Sequence, residues 1–297
     1  MALDNNRTIS NLDHANFFWM GDLTIYEIAN LQSFIKNGFK VIIWTYDKNL
    51  EKNINLKEVS FKDANLVLNE SLLMKFKQGR QKSSLSSFSN LFRYELLKKY
   101  GGWWFDMDCI CLKNIDEFIK LTNNRDFVIG RERKNYTGSS VLYFNDVKIL
   151  DELIQEVDSI AKQNEYSFFW GEIGPDLISE IILKNNLMND TLDENYFYKI
   201  SADKFHKFFE NKTNLMIDIE DSYILHTWNE MFNRFLISKK RLPPKGSILY
   251  DHLYASIDNP SQFKTSSTFF NLRFKKFIRI LIKIIFRIKI MYKNYLT

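Results

Sequence analysis

The chain holds one Asp-x-Asp tripeptide, Asp106-Met107-Asp108, directly behind a glycine pair and three aromatics, Gly101-Gly102-Trp103-Trp104-Phe105. On an extended strand, side chains two residues apart point the same way, so the two carboxylates are expected to converge on one point. Unpaired, they would repel each other and pay for desolvation; a hard divalent cation removes both problems. Two carboxylates cannot complete an octahedron, so Mg²⁺ or Mn²⁺ held there would keep positions open for phosphate oxygens. The chemistry implied is a metal held mainly to hold a diphosphate.

The flanking residues are of the kind that would position such a pair. Leu85, Phe88, Phe92 and Leu96 recur at helical spacing, which predicts an amphipathic helix over residues 86–100. Gly101 suits its C-cap and Gly102 a tight reversal into the buried aromatic strand 103–105. Nearer the amino terminus, residues 15–20 read as a strand broken at Gly21-Asp22, residues 28–35 as a helix ended by Asn37-Gly38, and residues 40–46 as a second strand. Such a βαβ unit forces a parallel sheet. Residues 66–76 are expected to be helical, as are 115–121 and 150–160. Strands are expected at 127–130 and 140–144, with Arg131, Arg133 and Lys134 on a basic loop between them.

The run Ser89-Asn90-Leu91-Phe92-Arg93 through Asp106-Met107-Asp108 resembles the sugar-binding region of DXD-containing glycosyltransferases of GT-A type. These are the family 32-like enzymes related to the yeast initiating mannosyltransferase, the clostridial toxin glucosyltransferases and bacterial capsule or lipooligosaccharide transferases. The resemblance implies that Ser89, Asn90 and Arg93 contact the donor, and that Asp106 and Asp108 bind metal, ribose and sugar. Asn90 stands where the family usually has Asp; an amide can bond hydroxyls but brings no charge. By the same resemblance Phe18, Trp19 and Gly21 lie near base and ribose. The turn before Pro175 lines the acceptor side, with Glu172 the candidate for steering an acceptor hydroxyl. The segment His226-Thr227-Trp228-Asn229 ends the catalytic domain, so His226 is implied as third metal ligand and Trp228 and Asn229 as neighbours of the phosphates.

We therefore expect an α/β domain over residues 1–262, Rossmann-like, with a mostly parallel sheet flanked by helices. A basic amphipathic tail over 263–297 would follow. From Phe269 onward the tail has eight Lys or Arg and no acidic residue, and Lys275, Arg279, Lys283 and Arg287 would form one helical stripe. That fits an anionic membrane surface, and the charges are too many for a span. The net charge of +5 becomes −3 once the tail's eight cations are set aside, which argues against a nucleic-acid surface. Cys109 and Cys111 read as small core residues on a continuing strand, since four zinc ligands are not at hand. The polar amino terminus suggests no secretory leader, hence a cytoplasmic protein peripheral on the inner face of a bacterial membrane.

The activity implied is retaining, metal-dependent transfer from a nucleotide sugar, UDP-linked by preference, to a lipid-linked, lipooligosaccharide or capsule glycan. The rival readings are a phosphatase of the haloacid dehalogenase type, whose nucleophile is also an Asp-x-Asp, and a non-catalytic membrane-bound scaffold.

Overall fold

Alternating apolar residues along the strands of one six-stranded sheet decide the architecture. The computed structural model describes residues 11–53, 56, 58–78, 84–211 and 218–266. Its strands are β1 (His14–Phe18), β2 (Lys40–Thr45), β3 (Val59–Asp63), β4 (Lys77–Gln78), β5 (Trp103–Phe105), β6 (Cys109–Cys111), β7 (Phe127–Arg133), β8 (Tyr136–Phe144), β9 (Ser167–Phe168) and β10 (Ile224–His226). The helices are α1 (Ile25–Lys36), α2 (Leu50–Asn53), α3 (Glu70–Leu73), α4 (Leu85–Tyr100), α5 (Ile115–Thr122), α6 (Lys148–Gln163), α7 (Leu177–Lys184), α8 (Glu194–Phe197), α9 (Asn229–Arg234) and α10 (Ile248–Ser256).

The main sheet has the order β3-β2-β1-β5-β8-β7, with only β8 running against the others. This is the mostly parallel α/β sheet expected. Along β1, β2, β5 and β8, successive residues alternate between two cores. Phe17, Ile43, Trp103, Phe105 and Tyr143 face one, with Phe34 of α1 and Phe118 of α5. Phe18, Trp44, Trp104 and Leu142 face the other, beneath α4, α6 and α7. A third cluster joins Tyr26 of α1 to Phe205, Phe232 of α9 and Leu249 of α10.

One polar group ties the parallel strands together. Asn16 of β1 is 2% exposed; its Oδ1 accepts from Trp44 Nε1 at 3.0 Å and its Nδ2 donates to the Trp103 carbonyl at 3.0 Å. Gly102 makes room for it: φ is +78°, and an added Cβ would lie 3.0 Å from Asn16 Nδ2 and 3.1 Å from the Asn11 carbonyl.

Several local expectations change. The helix expected over 66–76 is a 3₁₀ turn (Ala64–Leu66) and the single turn α3, because Asp63 and Asn69 each cap a new start and break the run. The basic loop is instead a hairpin. Arg131 and Arg133 extend β7, and only the turn at Lys134-Asn135 separates it from β8, with Asn135 at φ 58° supplying the left-handed residue. Gly101 does end α4, at φ 66° and ψ −155°, a positive-φ cap outside the left-handed helical region. The tail from residue 267 onward lies outside the described residues; Phe263 still packs on the third cluster, and Leu242 bridges Thr265. No helix among the described residues is long and apolar enough to cross a membrane.

Replacing Asn16 with Ala should leave the Trp44 indole N–H and the Trp103 carbonyl without that partner in a dry core. We expect a loss of about 2–4 kcal/mol in urea unfolding with the m-value unchanged. A variant as stable as the wild type would show that the strands do not depend on this bridge.

Candidate active site

The candidate site begins where β5 ends. β1 and β5 are parallel neighbours, so Trp19 and Asp106 leave the sheet at the same edge, the carboxyl ends of the strands. The expected continuous strand through the Asp pair is not formed. Asp106 N–H still donates to Ser140 of β8 at 2.8 Å, but Cys109 N–H then returns to the Asp106 carbonyl at 3.1 Å and closes a turn over Met107-Asp108. Asn30 of α1 pins that turn from behind, its Nδ2 donating to the Met107 carbonyl at 2.7 Å. The strand-alternation argument therefore fails here: the two carboxylates are turned toward different partners.

Asp106 belongs to α4. Its Oδ1 accepts from Trp104 Nε1 at 2.8 Å and lies 3.2 Å from Arg93 Nη2. Arg93 is 4% exposed and fully engaged: Nη2 donates to Ser89 Oγ at 3.0 Å, Nε to the Ser89 carbonyl at 3.1 Å and Nη1 to the Ser139 carbonyl at 2.5 Å, while its plane lies 4.8 Å over the Trp104 ring. Ser89 thus acts through Arg93. Asn90 is buried on the same helix, and its amide takes no hydrogen-bond partner among the described residues.

Asp108 belongs to the far end of the chain. Its Oδ1 is 3.2 Å from His226 Nε2, its Oδ2 accepts Asn229 N–H at 2.6 Å, and its carbonyl accepts Thr227 N–H at 2.8 Å and Thr227 Oγ1 at 2.9 Å. Burial alone would raise Asp108, but the His226 charge and these bonds outweigh it and bring the carboxyl down to about 2. Burial alone would lower His226, and the Asp108 carboxylate outweighs that as well, leaving the imidazole above its usual value. The strand pairing that makes this possible is antiparallel, with His226 opposite Cys109.

Asn229 is held in turn by Lys239, whose Nζ donates to its Oδ1 at 2.7 Å and also pairs with Glu27 in the first turn of α1. Trp228 sits at φ 55°, donates its indole N–H to the Ile200 carbonyl at 2.7 Å and packs edge-on against His226 at 4.3 Å. It braces the imidazole, and its N–H is already committed. Phe18 is likewise a core residue, stacked on Phe92 at 4.4 Å. Trp19 is partly exposed and its Nε1 donates to the Gly21 carbonyl at 3.1 Å, so Trp19 and exposed Gly21 form one turn at the sheet edge.

Glu172 is not joined to either aspartate. Its Oε2 accepts Phe169 N–H at 2.6 Å and fixes a turn on which Phe169 and Trp170 are 78% and 61% exposed. That turn abuts α4: Tyr94 OH donates to the Ile173 carbonyl at 3.0 Å, and a Cβ on Gly174 would fall 2.7 Å from Asn90 Nδ2.

Sequence reading missed Glu132. It lies on β7, half-buried, and its carboxyl is raised, chiefly by burial; His226 and Arg133 pull it down, and Asp106 and Asp176 push it up. The group therefore shares the field of the aspartates and the histidine. The only signal was period-2 alternation between Arg131 and Arg133, which reads as a solvated charge run.

Three residues of the described chain come close enough together to be considered as cation ligands. Asp108, His226 and Cys109 present ligand atoms all within 4.8 Å of one another, and Asp106 is outside that group. Cys109 is raised well above its usual value, by burial first and then by the Asp108 and Asp106 charges, so it stays a thiol. A carboxylate and an imidazole therefore fit a cation that accepts oxygen and nitrogen, with Oδ2 of Asp106 unengaged by the described residues.

The Asp108–His226 ion pair has a pH signature. Because His226 is raised, its contribution is complete below about 6.5 and is lost as pH climbs through the folded value; the Asp108 contribution is lost only as pH falls through about 2. In chelator, the thermal midpoint of wild type should exceed that of His226→Gln most near pH 5–6, and the gap should narrow toward pH 9. A gap that widens with pH would contradict the ion pair.

Residues 21–125 match the family model described as the glycosyltransferase sugar-binding region containing the DXD motif, and residues 150–256 match the alpha 1,4-glycosyltransferase conserved region. An uncharacterized glycosyltransferase of Acanthamoeba polyphaga mimivirus is 27% identical over 213 residues, 65% of this chain and 70% of that one. The human lactosylceramide 4-alpha-galactosyltransferase is 28% identical over 159 residues, 49% of this chain and only 42% of that enzyme. Among solved structures, an active-site mutant of LgtC aligns with a TM-score of 0.47 at 12% identity, over 84% of this chain and 99% of that one. GlyE of Streptococcus pneumoniae aligns with a TM-score of 0.46 at 14% identity, over 85% of this chain and 62% of that one. The phosphatase and scaffold readings give way to the two matched glycosyltransferase regions. With one matched region reaching through the Asp pair and the other through His226, the chain carries two conserved glycosyltransferase regions, the first of them the DXD-containing sugar-binding region, and is read as a glycosyltransferase.

Proposed function

We propose that the protein is a metal-dependent, retaining hexosyltransferase that uses a UDP-sugar and a glycolipid or lipid-linked glycan acceptor at a membrane surface. The observation that carries this reading is the meeting of Asp108 and His226 at 3.2 Å, at the strand ends, with Arg93 bracing Asp106 alongside.

Asp108 and His226 would hold Mn²⁺ or Mg²⁺, with Asp106 offering its free oxygen; the family implies a divalent ion, and its chemistry there is to neutralise the departing diphosphate. His226 must give up its proton to serve as a ligand. Arg93 and Trp104 keep Asp106 at one angle, Asn90 offers an amide to sugar hydroxyls, and the Trp19–Gly21 turn suits the base and ribose. Glu172 fixes the turn that presents Phe169 and Trp170, whose exposed rings could stack on an acceptor sugar.

Retention is supported by the α linkage in the name of the lactosylceramide relatives, since the common UDP-hexoses are themselves α-linked. Glu132 is the group to watch in the opposite case, as a carboxylate near the site that could act as an inverting base. The glycolipid acceptor is supported by the same names. The membrane surface rests on the basic amphipathic pattern of residues 263–297, and the inner face of a bacterial membrane is the location we assign.

The first test is release of free nucleotide from a panel of UDP- and GDP-sugars with Mn²⁺. Slow hydrolysis of one UDP-sugar is expected, abolished by chelator and reduced about 10²- to 10³-fold in Asp108→Asn. No release and no calorimetric binding of any donor would sink the reading. The product formed on a glycolipid acceptor should show the donor's anomeric configuration by NMR; an inverted product, lost in Glu132→Gln, would replace retention with base catalysis by Glu132.

A further inference from the structure

Away from the aspartates, a hollow of about 500 Å³ opens between α10 and the segment that follows it. Among the described residues three cations line it, Arg241, Lys245 and Lys264, and no acidic residue does. All three side chains are exposed, and none has an ion-pair or hydrogen-bond partner among the described residues. Elsewhere on this surface lysines do find carboxylates: Lys184 pairs with Glu152 at 2.7 Å and Lys98 with Asp151 at 2.7 Å. Three like charges around one hollow repel each other, and an anion seated among them relieves that repulsion.

The remaining wall is aromatic. Tyr250 and Tyr254, one helical turn apart on α10, stack with ring centroids 5.3 Å apart and planes 26° apart, and Tyr254 is 41% exposed. Burial, the neighbouring Tyr254 and the Asp251 carboxylate raise the Tyr250 phenol, so it remains a hydroxyl able to donate to an anion. The frame is rigid. Leu242 N–H donates to the Lys264 carbonyl at 2.9 Å, Ser266 N–H to the Leu242 carbonyl at 2.7 Å, and Tyr26 OH of α1 to the Arg241 carbonyl at 3.1 Å. The cations therefore hang from a braced two-stranded edge, and binding there orders little backbone.

We propose that this hollow is a second, non-catalytic site for a phosphate ester, with Arg241, Lys245 and Lys264 taking the phosphate and the Tyr250–Tyr254 face taking the apolar side of the group it esterifies. The chemistry is shared by a phospholipid headgroup and a soluble sugar or glycerol phosphate. This inference stands apart from the transferase reading, because none of these residues touches Asp106, Asp108 or His226. Its bearing on the site is through one short segment: Lys239, which holds Asn229 against Asp108, is two residues from Arg241.

The test uses the full chain and a variant carrying Arg241→Gln, Lys245→Gln and Lys264→Gln together, with unchanged thermal midpoint as the check that exposed substitutions leave the fold intact. Calorimetric titration with glycerol phosphate at low salt should show binding by wild type and at least about fivefold weaker binding by the variant, an effect that fades as salt is raised. Tyr254→Ala should weaken the ester while leaving inorganic phosphate binding nearly unchanged. Flotation with phosphatidylglycerol vesicles against phosphatidylcholine vesicles separates the sources. Loss of vesicle binding in the triple variant assigns the site to a lipid headgroup, and loss confined to glycerol phosphate assigns it to a soluble ester. Absence of any phosphate or vesicle response in wild type, or equal responses from wild type and the triple variant, overturns the proposal.

Discussion

Asp108 is a carboxylate largely withdrawn from water, and such a group must be given donors or be neutralised. Its partners from elsewhere in the chain come from residues 226–229, across more than a hundred positions of sequence. That single requirement aligns β10 against β6, sets Thr227 and Asn229 on the turn that carries Asp108, and draws the third core cluster onto α1. The Lys239–Glu27 pair secures the same junction from the other side, since Glu27 also closes the capping box that starts α1. The two matched sequence regions thus meet at one carboxylate that takes its imidazole and a further backbone donor from the far end of the chain.

The two aspartates divide the work. Asp106 is tied to its own half of the molecule: Arg93 and Trp104 are neighbours in sequence and in space, and the β8 ladder holds its backbone. Asp108 is tied to the other half. A turn pinned by Asn30 separates them, so each carboxylate can be oriented by a different structural unit while both stay at the edge where β1 and β5 end. A strand carrying both would have fixed them to one unit.

Much of this was legible in the sequence wherever a pattern had one physical solution. The βαβ opening, the α4 stripe, the glycine pair and the segment ending in His226 follow from periodicity, from positive φ and from family resemblance. What could not be read were choices between locally equal solutions. Asp-Met-Asp suits a strand or a turn, and the Cys109 N–H returning to the Asp106 carbonyl, with Asn30 reaching the Met107 carbonyl, selects the turn. Arg131-Glu132-Arg133 suits a loop or a strand, and the pairing of Arg131 with Thr137 selects the strand and turns Glu132 toward His226's field. Glu172 and Trp228 have the right residue types for a site, yet each already has a backbone partner that no sequence pattern announces.

The same geometry bears on which cation the site would accept. Asp108, His226 and Cys109 together are a donor set that zinc also favours. Burial and two nearby carboxylates hold the proton on Cys109, however, so a soft ion would have to displace that proton as well as the one on His226. An oxygen-seeking ion needs only the second. The Cys109 thiol is packed in the core beside Phe105 and Val141, where moving it would disturb the sheet. The low-dielectric packing that raises the thiol also surrounds the Asp108–His226 pair, so Cys109 enters this cluster as a protonated core residue.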